Sequence, residues 1–198
     1  NVFNLLEIGC FSWAFSATNW TEETNECVKK IIEILMAYET IPDFTNRPDD
    51  LFRDLYMKIM PVSVRHSLGE YYTPEWLAEN VINSGLEHLP YDKEHIRVID
   101  STAGSGTFIQ KVIEKKLERY SKVNDREKLN YILNEVAAID ANTLAVILAR
   151  INYFLAIAHL VNTDNEIYIP VFIGDSSIPA VNKLSSDKKY YIDTIQLG

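Results

Sequence analysis

Three aspartates, Asp100, Asp140 and Asp175, each close a short apolar run at a point where a strand would give way to a loop. The first opens a glycine turn, Asp100-Ser101-Thr102-Ala103-Gly104-Ser105-Gly106-Thr107. In an open parallel sheet, ligands bind at the carboxyl ends of the strands. Carboxylates placed there accept from a cationic amine or from ribose hydroxyls, and glycines let the backbone come close to a ligand. The helix that follows offers N–H groups to a carboxylate or phosphate. The plain alternative is structural: a tight strand-to-helix turn, with each strand-end aspartate capping the next helix.

The spacing narrows the ligand. A dinucleotide fingerprint needs a third glycine, but counting from Gly104 that position is Ile109. A phosphate-cradling loop needs Gly-Lys-Ser/Thr, and no lysine follows Gly106. Asp100, four residues before Gly104, suits a ligand with an ammonium. The methionine part of S-adenosylmethionine has both an ammonium and a carboxylate.

The elements that must position these groups follow from residue pattern. Val98 and Ile99 predict a buried strand. From Thr107 the apolar set Ile109, Val112, Ile113 and Leu117 has helical spacing. A helix over 126–134 leads to a second strand, 135–140. Asn142 opens a long helix whose predicted inward stripe is Leu144, Leu148, Ile151, Leu155 and Ala158. The run 169–176 is a third strand and 190–197 a further one. Upstream, helices are predicted over 1–20, over 24–38 (Val28, Ile31, Ile32, Leu35, Met36 apolar) and over 48–60. Thr73 is expected to cap a helix with Pro74 at its first position and Leu77, Ala78, Val81 and Ile82 inward. The expected organisation is a helical subdomain over 1–68 and an α/β domain over 69–198, incomplete at its C-terminus.

Composition bounds the function. The 198 residues are 47% hydrophobic and 24% charged, ordinary for a globular protein. A net charge of −9 argues against this chain being the main grip on nucleic acid. Cys10 and Cys27 make neither a metal pattern nor a disulfide scaffold, so no metal is expected and a reducing cytoplasm is the expected location. The run 144–161 approaches membrane length, yet Arg150, Asn152 and His159 lie within it, so a buried core helix and no membrane is the expectation. Beginning without methionine and ending just past a strand-like run, the sequence reads as a piece of something longer.

Four segments in order, Gly-Glu-Tyr-Tyr-Thr-Pro (69–74), Asp-Ser-Thr-Ala-Gly-Ser-Gly-Thr-Phe (100–108), Ile-Asp-Ala-Asn-Thr-Leu-Ala (139–145) and Ile-Gly-Asp-Ser (173–176), resemble the cofactor motifs of adenine-specific DNA methyltransferases. The resemblance is to those of restriction–modification systems, whether large single-chain restriction–methylation enzymes or modification subunits. It implies a truncated Rossmann-like S-adenosylmethionine-dependent methyltransferase sheet with an N-terminal helical subdomain. It also implies roles. Tyr72, Thr73 and Pro74 would line the methionine end of S-adenosylmethionine, and Asp100, Ala103, Gly104 and Gly106 would hold its amine and carboxylate. Asp140 would hold the ribose, Ala141 and Asn142 would lie beside the adenine, and Asp175 and Ser176 would contact its amine or ring. The implied partner is double-stranded DNA, engaged by regions outside this chain, together with fused or associated nuclease and specificity domains. Two departures stand out. Ser101 and Thr102 replace the family's usual proline, and the catalytic Asn/Asp-Pro-Pro-Tyr/Phe signature is absent from these residues. An RNA or protein methyltransferase of the same fold, and a non-catalytic scaffold, are the alternatives.

Overall fold

The structure, a computed structural model, describes residues 2–5, 14–36, 62–63, 73–89, 95–162 and 166–177. Its centre is a parallel sheet of three strands, β1 (Val98–Asp100), β2 (Val136–Asp140) and β3 (Val171–Ile173), in the order β1-β2-β3. The register sets Asp100 beside Ala138 and Asp140 beside Ile173, so the first two aspartates end neighbouring strands at the same edge. Parallel neighbours require long crossovers. Helices α3 (Thr107–Arg119) and α4 (Asp125–Glu135) join β1 to β2; α5 (Thr143–Ile157) and a 3-10 turn (Ala158–Leu160) join β2 to β3. Among the described residues, α1 (Glu22–Met36) and α2 (Glu75–Glu87) precede the sheet. This is an α/β fold.

α3 and α5 pack on each other and both reach β2, so they cover one face of the sheet. The core between them contains Ile109, Ile113, Ile132, Val136, Ala138, Val146, Ala149, Tyr153 and Val171. The fully buried Tyr153 hydroxyl lies 3.0 Å from the Ile132 carbonyl and 3.1 Å from that of Val136. Its single proton therefore ties α5 to the junction of α4 and β2, and burial pushes its pKa upward. Alternation puts Ile99 on the opposite face, where it is 58% exposed rather than buried as its β-branched type suggested.

Several expectations are corrected. The inward stripe of α5 is Val146, Ala149, Tyr153 and Ile157, all fully buried, on roughly the opposite side of the helix from the one predicted. Apolar residues surround this helix, so periodicity alone could not choose its core face. Its stretch Thr143–Leu160 is long and apolar enough to cross a membrane, but 61% of it is buried inside the fold. In α2 only Ala78 is buried, whereas Leu77 and Val81 are exposed. The cap of α2 is Pro74, whose carbonyl accepts from Leu77 and Ala78, and not the Thr73 side chain. Residues 2–5 are not helical: Val2 bridges Ile167, and the buried Asn4 amide closes on both backbone groups of Ile169. Residues 17–19 form a 3-10 turn. On α1, Ile31, Ile32 and Met36 are exposed among the described residues. The predicted helix over 48–60 and strand over 190–197 lie outside the described residues.

A polar clasp holds the far end of the sheet. Glu135, 5% exposed, accepts from Lys116, from the Tyr120 hydroxyl (2.7 Å) and from His95 Nδ1 (2.7 Å). Lys116 also donates to the Ile96 carbonyl at 2.5 Å, so the entries to β1 and β2 are tied together. Burial pushes the Glu135 pKa up, but hydrogen bonds from Lys116, Tyr120 and His95 outweigh it and hold the carboxyl below its ordinary 4.5. A carboxyl with a depressed pKa contributes stability above the unfolded value and loses it as pH falls through the folded one. We therefore expect Glu135→Ala, which strands the Lys116 charge in the interior, to cost about 3–5 kcal/mol in urea unfolding at pH 7. The gap between variant and parent should narrow as pH falls below 4.5.

Candidate functional site

The turn after β1 is shaped by two glycines in the left-handed region, Gly104 at φ +54° and Gly106 at φ +94°. They serve different needs. A Cβ on Gly106 would sit 3.2 Å from Ala149 Cα and 3.3 Å from its Cβ, so the turn lies directly on α5. A Cβ on Gly104 would meet nothing within 4 Å among the described residues, so that glycine faces open space between them. The turn is closed from within by the Gly106 N–H, which donates to the Ala103 carbonyl at 2.8 Å. Buried Ala103 donates its own N–H to Ile139 of β2 at 3.0 Å.

Asp140 grips this turn. Its Oδ2 accepts the Gly104 N–H at 2.8 Å and its Oδ1 the Asn142 N–H at 2.8 Å. The Asn142 side chain in turn caps α5 by accepting from Leu144 N at 2.9 Å. Each carboxylate oxygen keeps a second lone pair. The family resemblance assigns Ala103, Gly104, Gly106 and Asp140 to the ligand. In the structure the amides of Ala103, Gly104 and Gly106 are all bonded within the protein, because a turn this tight must satisfy its own buried donors.

Asp100 differs from its neighbour. One oxygen accepts from Thr102 N at 3.1 Å, whereas Oδ2 is buried and has no hydrogen-bond partner among the described residues. Burial pushes the Asp100 pKa up; the Thr102 hydrogen bond opposes this and the nearby Asp140 charge adds to it. A carboxyl held above its ordinary range works against the fold once pH rises past the unfolded value toward the raised one. Buried unpaired carboxylate oxygens are costly, and a group carrying one is a candidate functional group. A cleft of about 230 Å³ has Asp100, Ser101, Phe108, Ile82 and Val98 in its lining.

The third aspartate does not join the pair. Asp175 lies in the loop after β3, fully exposed, and its Oδ1 accepts from Ser177 N (2.9 Å) and Ser177 Oγ (2.6 Å). Those bonds lower its pKa. Ser176 instead reaches across the sheet edge and donates to the Ser101 carbonyl at 2.7 Å, linking the loops after β1 and β3. Ala141 is exposed beside the capped start of α5. Thr73 is half-buried and Pro74 exposed; Glu75 after them pairs with Lys111 of α3 at 3.2 Å, which sets this segment near the start of α3. Tyr72 lies outside the described residues. Among the described residues, no group of three His, Cys, Asp or Glu could hold a metal.

Sequence reasoning missed Ala149 and Asn152, which support the turn from α5. The signal was slight: a small residue, and an amide that with Arg150 interrupts a largely apolar helix.

No family model matches the sequence, and no curated protein matches it either. Parts of two solved structures are similar to it. One is the DrdV–DNA complex from cryo-EM, with TM-score 0.45 and 18% identity over 63% of this chain and 12% of that one. The other is a nuclease-deletion mutant of the Type ISP restriction-modification enzyme LlaGI with a DNA substrate mimic, with TM-score 0.41 and 14% identity over 66% of this chain and 12% of that one. The chain thus spans 12% of the length of each, and likenesses of this size carry no functional conclusion.

The two glycines should respond differently to a methyl group. Gly106→Ala combines left-handed strain with a collision against Ala149 and should lose about 2–4 kcal/mol in chemical denaturation. Gly104→Ala, strained but unobstructed, should lose about 1–2 kcal/mol. Equal losses would contradict the close approach of the turn to α5.

Proposed function

We propose that this chain supplies the S-adenosylmethionine-binding part of an adenine-specific DNA methyltransferase of a restriction–modification system. The observation that carries the reading is the Asp100 oxygen at the end of β1, buried and without a hydrogen-bond partner among the described residues, in the same turn as a glycine that none of them crowds. A carboxylate kept partly dry with one oxygen unused is matched to an ammonium, whose charge would offset both the burial and the Asp140 field. The residues present therefore fit the amino-acid end of this cofactor. The ordered resemblance of four motifs to that family supplies the rest of the assignment.

In this reading Asp100 holds the ammonium, and Gly104 keeps the space above the turn clear of side chain. Asp140 has two tasks: it fixes the turn through Gly104 N and turns its remaining lone pairs to the ribose hydroxyls. The family resemblance assigns Ala141, Asn142, Asp175 and Ser176 to the adenine, and Tyr72, Thr73 and Pro74 to the methionine chain. Ala103 and Gly106 act by shaping the backbone rather than by bonding the ligand. When bound, S-adenosylmethionine supplies an activated sulfonium methyl, so the work left to protein is mostly positioning. The target adenine must leave the duplex to be reached. The family signature that holds it is absent from these 198 residues, and contact with DNA is assigned to regions outside them. A cytoplasmic location belongs to the same proposal.

Calorimetry with S-adenosylhomocysteine tests this directly. The chain should bind it, and Asp100→Asn should weaken binding by about tenfold or more, the worth of a hydrogen bond to a charged group. The same substitution should raise the melting temperature of the free protein, since it removes a buried charge beside Asp140. A folded chain with no affinity for S-adenosylhomocysteine would overturn the proposal.

A further inference from the structure

We infer that Asn152, with Ala149 one turn before it on α5, is a positioning residue for the amino-acid end of the nucleoside ligand. The inference rests on the reading just given and names a part of the site that the motifs do not include. Asn152 is 1% exposed, in the middle of an apolar helix, where an amide is disfavoured unless it is fully used. Its Nδ2 donates to the carbonyl of Ser105 at 2.9 Å, and Ser105 itself is 2% exposed. Ser105 is the residue between the two left-handed glycines. Residues three apart share a helix face, so Ala149 and Asn152 address the turn together. Ala149 sets how near Gly106 comes, and Asn152 fixes how the Ser105 peptide is rotated.

That rotation has consequences on the ligand side. The Ser105 carbonyl is held back toward α5, so the opposite side of the same loop, at Gly104, is left facing open space. Asp140 pulls the Gly104 N–H from β2 while Asn152 pulls the Ser105 carbonyl from α5. Two successive residues of the loop are thereby anchored from two different elements. The loop is fixed beside Asp100 before any ligand arrives, and preorganisation of this kind shows as affinity. Asn152 touches no ligand in this scheme and acts only through the turn.

The test separates positioning from stability by comparing two ligands. S-adenosylhomocysteine carries the amino-acid end; 5′-methylthioadenosine has the same nucleoside without it. Asn152→Asp keeps the size of the side chain and replaces the donor with an acceptor facing the Ser105 carbonyl. We expect it to weaken S-adenosylhomocysteine by about tenfold or more, as small misplacements of positioning groups do, and to leave methylthioadenosine within about twofold. Unchanged methylthioadenosine binding also certifies that the variant is folded. Ala149→Val, which crowds Gly106 without altering a hydrogen bond, should give the same split and decides the matter if Asn152→Asp does not fold. Equal weakening of both ligands, or of neither, overturns the positioning role while the cofactor reading stands. A parent chain that binds neither ligand overturns the cofactor reading and this inference with it.

Discussion

The Asp140 carboxylate is the constraint on which the site depends. From the end of the central strand it takes the Gly104 N–H with one oxygen and the Asn142 N–H with the other. It therefore joins the loop after β1 to the helix that follows β2, and fixes the spacing of the two at the sheet edge. Charge-assisted bonds to backbone amides are among the stronger hydrogen bonds, and this one is partly shielded from water. Without it Gly104 would lose its anchor to β2, and glycine loses more freedom on folding than any other residue.

A second carboxylate beside the first explains why the site is polarised. Asp140 has two donors; Asp100 has one donor, a buried orphan oxygen and a like charge nearby. The two aspartates look equivalent in sequence but are unequal in place. Both oxygens of Asp140 are hydrogen-bonded, whereas one oxygen of Asp100 has no partner among the described residues. Asp175, which completes the sequence trio, is satisfied locally by Ser177 and stands in solvent. Convergence at the sheet edge thus involves two carboxylates, with Ser176 in place of the third as the group that reaches across.

How much of this could be read from sequence depended on how local the cause was. The strand-turn-helix units were legible because β-branched residues, glycines and the Asn142 cap act on their own neighbours. The face of α5 was not, since apolar residues lie on every side of it and its inward stripe is selected by packing against the sheet, α3 and the turn at Ala149. The Pro74 cap was misread by one residue: its extended backbone lets its own carbonyl start the helix, so the Thr73 hydroxyl is not needed. The Lys116–Glu135 pair was not legible, because nothing local marks two residues separated by 19 positions that meet only when α3 and α4 dock. Asn152 was visible only as an oddity in an apolar run.

The central claim is that Asp100 is kept partly dry and without a cation until an ammonium-bearing nucleoside arrives. The most direct measurement is the carboxyl-carbon NMR titration of Asp100 in the free chain and with S-adenosylhomocysteine bound. The account predicts a pKa above the ordinary aspartate range in the free protein, falling well below that free value when the ligand binds. An ordinary value in the free chain, or a raised one that the ligand leaves unmoved, would contradict it.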